Sequence, residues 1–356
     1  MSKKPTTLIS VAILLMASFG LLQAQTVSTD PVGYVTLTIN GSPDGTTPAF
    51  TALSVGMQNA AVVTGSIASD ATSAVLTDSN ASNTTNAYAA TDAAGNGSYF
   101  LQITSGANEG LICDILSNDA TTYTTGTDLT GIVSAGDTYV IKAHVTLADI
   151  FGASNETGLK SGGNASSSDL IYVMSTDGLA SYSTYYYQTD SLGFLGGNGW
   201  RVSGDSSTDM SSVVVAPDDG IIVRRTATGD LTSVVSGSVS TVDLSKGLPA
   251  GYSLISYPFP VDVTLGDSGI YSSSNGYVSG GNSSSSDIVY VMGSDGSFST
   301  YYYQTDTLGF LGGNGWRAAG DNNTDASGTV ISAGSSIIIL HRGAGLAWTD
   351  DLPYSL

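Results

Sequence analysis

The chain has 356 residues and carries 30 acidic against 10 basic side chains, a formal net charge of −20. A surface so acidic repels nucleic acid and anionic lipid, and excludes both as partners. A single cysteine rules out an internal disulfide, so stability must come from packing, with bound cations as the one possible addition.

In chain order, residues 1–24 read as a cleaved secretory signal peptide: Lys3 and Lys4, an apolar run from Leu8 to Leu22, and Ala24 as the last residue before cleavage. A helix over that run covers only about 22 Å, short of the ~30 Å hydrocarbon core, which argues against a membrane anchor. No later segment approaches the ~20 continuous apolar residues of a membrane helix. The mature chain is therefore expected outside the cytoplasm, in the periplasm, at the cell surface or beyond it, with no membrane span.

Residues 25–143 read as a divergent N-terminal β-unit. "GYVTLTI" alternates apolar and polar residues as a half-buried strand does. Cys113, in the apolar "GLICDIL", is expected to be buried and inert. Residues 144–261 and 262–356 are two clear repeats. "SGGNASSSDLIYVMSTDG" from Ser161 matches "SGGNSSSSDIVYVMGSDG" from Ser279 at an offset of 118, which becomes 116 further on. The N-terminal "SAGDTYVIKA" parallels the "SAGSSIIILH" of the last repeat and makes the first unit a fainter copy.

"DLIYVM" and "DIVYVM" are short β-branched apolar runs between Gly and Asp turns, as in strands covered on both faces. Only "VTLADIFG" fits even one turn of helix. The expected fold is all-β: tandem antiparallel β-sandwich or open-barrel units, the two clear repeats standing apart or fused into one pseudo-twofold body.

The strongest internal match is "TYYYQTDSLGFLGGNGWR" at 184–201 against "TYYYQTDTLGFLGGNGWR" at 300–317. Its two strand-like ends flank an "LGGNG" that tolerates positive φ, which predicts a hairpin with an exposed tip. Tyr185, Tyr186, Tyr187 and Trp200, with Tyr301, Tyr302, Tyr303 and Trp316, form a candidate binding surface. For both Trp residues a plug in the sandwich core is the favoured role, over a sugar-stacking platform. Arg201 and Arg317 are expected to pair with nearby Asp.

"STDPVGYVTLTI", "YFLQITSGANEGLICDILSN", "HVTLADIFG", "SYPFPVDVTL" and the YYY…GW element together resemble an uncharacterised family of exported β-rich proteins of Verrucomicrobia-type bacteria. The resemblance covers essentially the whole mature length and implies export and a β-rich fold. That family has no assigned activity, so it supplies no site residues. The chain ends "WTDDLPYSL", without the apolar sorting tail of some exported proteins of such bacteria, which implies release or non-covalent retention.

Catalytic motifs are weak. "GDSG" around Ser268 would need a histidine base, and His144 and His341 are the only two in the chain. No GxSxG, HExxH, P-loop or CxxC pattern occurs. Cation binding is the better signal. Asp205, Ser207 and Asp209 in one repeat, and Asp321, Asn323 and Asp325 in the other, alternate on short loops whose oxygens could converge on Ca²⁺. Against it, the EF-hand glycine is replaced by Met210 and Ala326, and no Glu follows.

The expected function is that of a non-catalytic exported cell-surface or extracellular structural or adhesion protein, partnered by itself or by a surface polymer or glycan. A carbohydrate-binding module is the first alternative, decided by solvent exposure of Tyr185–Tyr187 and Trp200. A hydrolase with an Asp-based site is the second, and needs two converging Asp of perturbed pKa.

Overall fold

A computed structural model describes residues 31–174, 181–293, 295–307 and 309–355, so the expected signal peptide lies outside the described residues. Nearly all regular structure is antiparallel strand, and the sheets stay open at their edges with no closed barrel. The expected turn of helix is α1 (Leu147–Phe151), started by a capping box in which Thr146 and Asp149 exchange side-chain and backbone hydrogen bonds.

Three sheets share one plan. The first is formed by β3 (Ala61–Ser66), β4 (Val75–Thr77), β5 (Tyr99–Ile103), β6 (Ile112–Asn118), β7 (Thr122–Thr125) and β8 (Thr138–Ala143), in the order β3-β8-β5-β6-β7-β4. The second holds β2 (Ala49–Leu53), β10 (Leu170–Met174), β11 (Tyr182–Gln188), β12 (Gly199–Val202) and β14 (Ile221–Arg225), in the order β2-β14-β10-β11-β12. The third holds β16 (Leu244–Ser256), β18 (Ile288–Met292), β19 (Phe298–Gln304), β20 (Gly315–Ala318) and β22 (Ser336–Asp350), in the order β16-β22-β18-β19-β20. In each sheet the strand earliest in the chain pairs with the latest of the plan, and three consecutive strands complete the other side. The faint N-terminal copy thus has the same topology, with β4 added at one edge.

Each sheet has its own apolar core. One lies within 67–141, one draws on 35–57 and 145–235, and one lies within 244–348. These cores cut across the boundaries expected from sequence. β1 (Val32–Ile39) and β2 fall inside the expected first unit, yet β1 pairs with β15 (Leu231–Ser238) and β2 with β14. β16 falls inside the expected second unit and pairs with β22 of the third sheet. The first sheet is therefore an insertion between two strands of the second unit.

The second and third units meet along a reciprocal seam. The Ser54 amide donates to the Gly334 carbonyl at 2.8 Å, and the equivalent Ser256 amide donates to Asp218 at 3.1 Å. The hydroxyls of Ser54 and Ser256 hydrogen-bond to each other, and Ser336 donates to the Leu53 carbonyl. These paired contacts make the two clear repeats one pseudo-twofold body. Gly220, the counterpart of Ser336, has no room for a side chain: a Cβ there would lie 2.5 Å from Ser336 Oγ and 2.9 Å from Leu254. Gly220→Val is expected to cost about 1–3 kcal/mol by overpacking, read as a lower midpoint in urea with an unchanged slope.

A second clamp crosses the same seam. Lys246 on β16 reaches Asp218 at 2.7 Å and Asp219 at 3.2 Å, on the turn before β14. Burial opposes ionisation of Asp218, but the Lys246 ammonium overcomes it and holds that carboxyl below its usual range. For Asp219, burial together with the Asp218 charge wins and pushes the carboxyl up. Lys246→Met should leave two partly desolvated carboxylates without their cation, at a cost of about 3 kcal/mol at neutral pH. Protonation removes the unpaired charges, so this deficit should shrink as pH falls through the carboxylate range in acid-titrated urea melts.

Candidate functional site

The duplicated hairpins carry the most elaborate polar construction in the chain. β11 and β12 pair in register, Tyr187 opposite Trp200 and Gln188 opposite Gly199, and β19 and β20 repeat this with Tyr303 opposite Trp316. Between them the chain turns through left-handed glycines, Gly196 at φ 85° and Gly312 at φ 81°. That leaves a ring of loop carbonyls facing inward, and buried donors answer it. Gln188 directs its amide nitrogen at the carbonyls of Leu195 (2.6 Å), Gly197 (2.9 Å) and Ser206 (3.0 Å). Arg201 donates from Nε to Ser206 (2.9 Å), from Nη1 to Trp200 (2.8 Å) and from Nη2 to Gly196 and Gly197 (3.2 Å each).

Asp190 holds the outer side, accepting the amides of Phe194 (3.0 Å), Leu195 (2.8 Å) and Gly197 (3.0 Å). These backbone donors keep its carboxyl below the usual range. Gln304, Arg317 and Asp306 make the same set in the second hairpin. The repeated Gln, Asp, Asn, Gly, Trp and Arg each have a task in closing the loop, which is a physical reason for the near-identity of the two segments.

What the loop holds out is apolar. Phe194 and Phe310 are each 85% exposed, and Leu192 beside Phe194 is also exposed. From 191 to 200 and from 307 to 316 there is no charged residue, and the one bordering carboxylate at each tip is taken up by backbone amides.

The rings expected to form a binding surface lie elsewhere. Tyr185, Tyr186, Trp200, Tyr302 and Trp316 are buried, and Tyr187, Tyr301 and Tyr303 are half-buried. Trp200 donates its indole N–H to the Gly152 carbonyl at 2.9 Å and packs edge-on to Tyr187, so it plugs the core. The core plug expected for Trp200 and Trp316 is borne out, and the alternative of an exposed carbohydrate platform has no bare ring at Tyr185, Tyr186, Tyr302 or either Trp. The physical reason is the pleat, which turns Tyr185 and Tyr187 toward the core and sets Tyr186 on the opposite face, where its hydroxyl meets Gln188.

The loops proposed for calcium make local turns. Asp205 accepts the Ser207 and Thr208 amides and Asp209 accepts Ser211; Asp321 accepts Asn323 and Thr324, and Asp325 accepts Ser327. The side chains of Ser207 and Asn323 sit beside them on exposed backbone. The carbonyls of Ser206 and Thr208 point instead at the Arg201 guanidinium, so this loop already wraps a cation. Asp209 and Asp325 stand 3.7 and 3.6 Å from their arginines, so the expected Arg–Asp pairs form at the rim of a cage made mostly of carbonyls. Among the described residues no group of three or more His, Cys, Asp or Glu is placed to hold a metal ion.

A second surface was not read from the sequence. On the outer face of the second sheet, Phe50, Tyr172, Met174, Tyr182 and Ile222 line an apolar cleft of about 510 Å³, completed across the seam by Leu254 and Phe298. Tyr182 is 59% exposed, and none of the lining residues carries a charge. "DLIYVM" is thus covered by core on one face and opens on this cleft with the other. The available signal was the outward alternation of Tyr172 and Met174, which only the strand pairing brings into line with Phe50.

The polar residues make a separate cavity of about 450 Å³, lined in part by His144, Asp114, Asp219, Ser183 and Tyr185. His144 Nε2 sits 3.0 Å from Asp114, and His341 Nδ1 lies 2.7 Å from the buried Asp287. Ser268 is buried and donates to the Leu265 carbonyl at 3.0 Å, so its hydroxyl closes a turn. Cys113 is buried as expected, and burial pushes its thiol up to about 12, which leaves it protonated and inert.

Lysine cannot reproduce the fork of a guanidinium. Arg201→Lys should cost about 2–3 kcal/mol and raise amide exchange across 190–200, while 306–316 keeps its protection as an internal control. Compared with models of protein families, with curated proteins and with solved structures, the chain matches none.

Proposed function

We propose that this chain is a non-catalytic exported protein of the cell surface or extracellular matrix, made for assembly or adhesion through duplicated surfaces. One observation carries the reading. Among the described residues the most exposed large aromatics, Phe194 and Phe310, stand at equivalent places on two loops, each fixed by the same buried Gln and Arg and the same Asp. A loop that satisfies its own backbone polar groups while presenting a phenyl ring is suited to contact, since burying that surface strands no unpaired backbone group. Two such tips on one chain multiply a weak contact through effective concentration.

Supporting the non-catalytic part, the side chains of both histidines are only 1% exposed, Ser268 is taken up by a turn carbonyl, and Asp218 and Asp219 are paired with Lys246. Export rests on the residues of the N-terminal segment. The test is retention of purified residues 25–356 on intact cells and on isolated envelope polymer. Phe194→Ala or Phe310→Ala alone should weaken retention by about 10²-fold or more, and the double variant should abolish it. A wild-type protein that adheres to neither cells, nor polymer, nor itself would refute the reading.

A further inference from the structure

We propose that the polar cavity lined by Asp114, His144, Ser183 and Asp219 is a binding site for a neutral sugar unit, a polyhydroxylated ring without charge. The site shares no residue with the hairpin tips and goes beyond the adhesion reading.

Insertion of the first sheet builds it. Asp114 on β6 and His144, directly after β8, come from that sheet. Tyr182 and Ser183 lie on β11, and Asp219, on the turn before β14, is held by Lys246 of β16 at 3.2 Å. The Asp92 carboxylate accepts the Val214 amide at 3.0 Å and ties the inserted sheet to the opposite wall. Side chains fixed by several elements are preorganised, and a volume of about 450 Å³ falls within the ~300–1,000 Å³ of small-ligand pockets.

The lining asks for hydroxyls and C–H surface together. The Asp114 side chain is 47% exposed, accepts from His144 Nε2 and offers the rest of its carboxylate to donors in the cavity. A carboxylate only accepts, so the proton of the neutral imidazole sits on Nε2. His144 Nδ1 is then a buried acceptor without a partner among the described residues, a group that a donor from outside the chain would satisfy. Ser183 adds a hydroxyl that donates and accepts. Beside these stand Val173, Val214 and the Tyr182 ring, 59% exposed, against which the C–H face of a sugar packs.

Other ligand classes fit worse. An anion meets Asp114 and Asp219 on a chain at −20. A wholly apolar ligand would strip water from Asp114 and return no hydrogen bond. A cation finds the wall partly neutralised, since Lys246 occupies Asp218 and Asp219, and burial with the Asp218 charge makes Asp219 hold its proton more readily. Asp92 is spent on the amides of Ala94, Asn96 and Val214. A neutral polyol replaces the hydrogen bonds of water in kind.

The experiment is saturation-transfer NMR and isothermal titration of the purified protein with glucose, galactose, mannose, xylose and N-acetylglucosamine, beside the amino-sugar and uronic-acid counterparts of these rings. At least one neutral sugar should bind, its uronic acid should not, and its amino sugar should bind no more tightly. Asp114→Asn should weaken the bound sugar about tenfold or more, through one charge-assisted hydrogen bond. Tyr182→Ala, at an exposed ring, should weaken it about threefold or more with the melting temperature unmoved. Phe194→Ala/Phe310→Ala should leave it unchanged.

Binding of no neutral sugar, equal binding of the uronic acid, or an affinity that both Asp114→Asn and Tyr182→Ala leave intact would each overturn the proposal. Tighter binding of the amino sugar would overturn it too, and would make the cavity a site for organic cations. Adhesion that persists in a protein binding no sugar would leave the adhesion reading standing and remove only this inference.

Discussion

Two guanidinium groups, Arg201 and Arg317, make the duplicated hairpins possible. A tight glycine turn leaves carbonyls facing inward with no ladder partner, and each one left unpaired would cost about 1–3 kcal/mol. The arginine fork satisfies several of them at once, and the adjacent glutamine amide reaches the rest. Because those groups are satisfied from inside, the outer surface of the loop is free to be apolar. An exposed phenylalanine, an uncharged tip and a buried arginine are thus one device.

Much of this was legible in the sequence. The duplication, the strand-rich fold, the helical turn of "VTLADIFG", the buried Cys113 and the exposed hairpin tip all follow from local residue chemistry and spacing. The triple tyrosine was ambiguous, because alternation says that faces differ without saying which face is covered. Tyr185 and Trp200 proved to be core, while Phe194, one residue in a string of glycines, proved to be the outward ring. The aspartate loops were ambiguous for a different reason. Alternating oxygens describe a metal loop and a series of Asx turns equally well, and only the position of Arg201 tells which cation the carbonyls meet.

The unit boundaries were hidden by divergence. β2 and the end of β16 occupy equivalent places, yet little beyond Ser54 and Ser256 marks them as copies. Elsewhere the repeats keep a role while changing the partner. The buried Asp169 receives Arg225 at 3.2 Å in one unit, and its counterpart Asp287 receives His341 at 2.7 Å in the other. Both aspartates also accept backbone amides on either side, so the carboxylate is the fixed element and its side-chain partner the variable one.

The insertion of the first sheet between β2 and β9 (Val145–Thr146) also dictates an order of pairing for a chain that emerges N-terminus first. β1 and β2 emerge first, but their partners β15 and β14 begin only at Leu231 and Ile221. The inserted sheet, contiguous from Ala61 to Ala143, can close early, whereas the second unit must hold two unpaired strands open until most of the polypeptide has appeared. Throughout that interval the apolar faces of β1 and β2 are vulnerable to mispairing, which makes this unit the place where a holding chaperone would matter most.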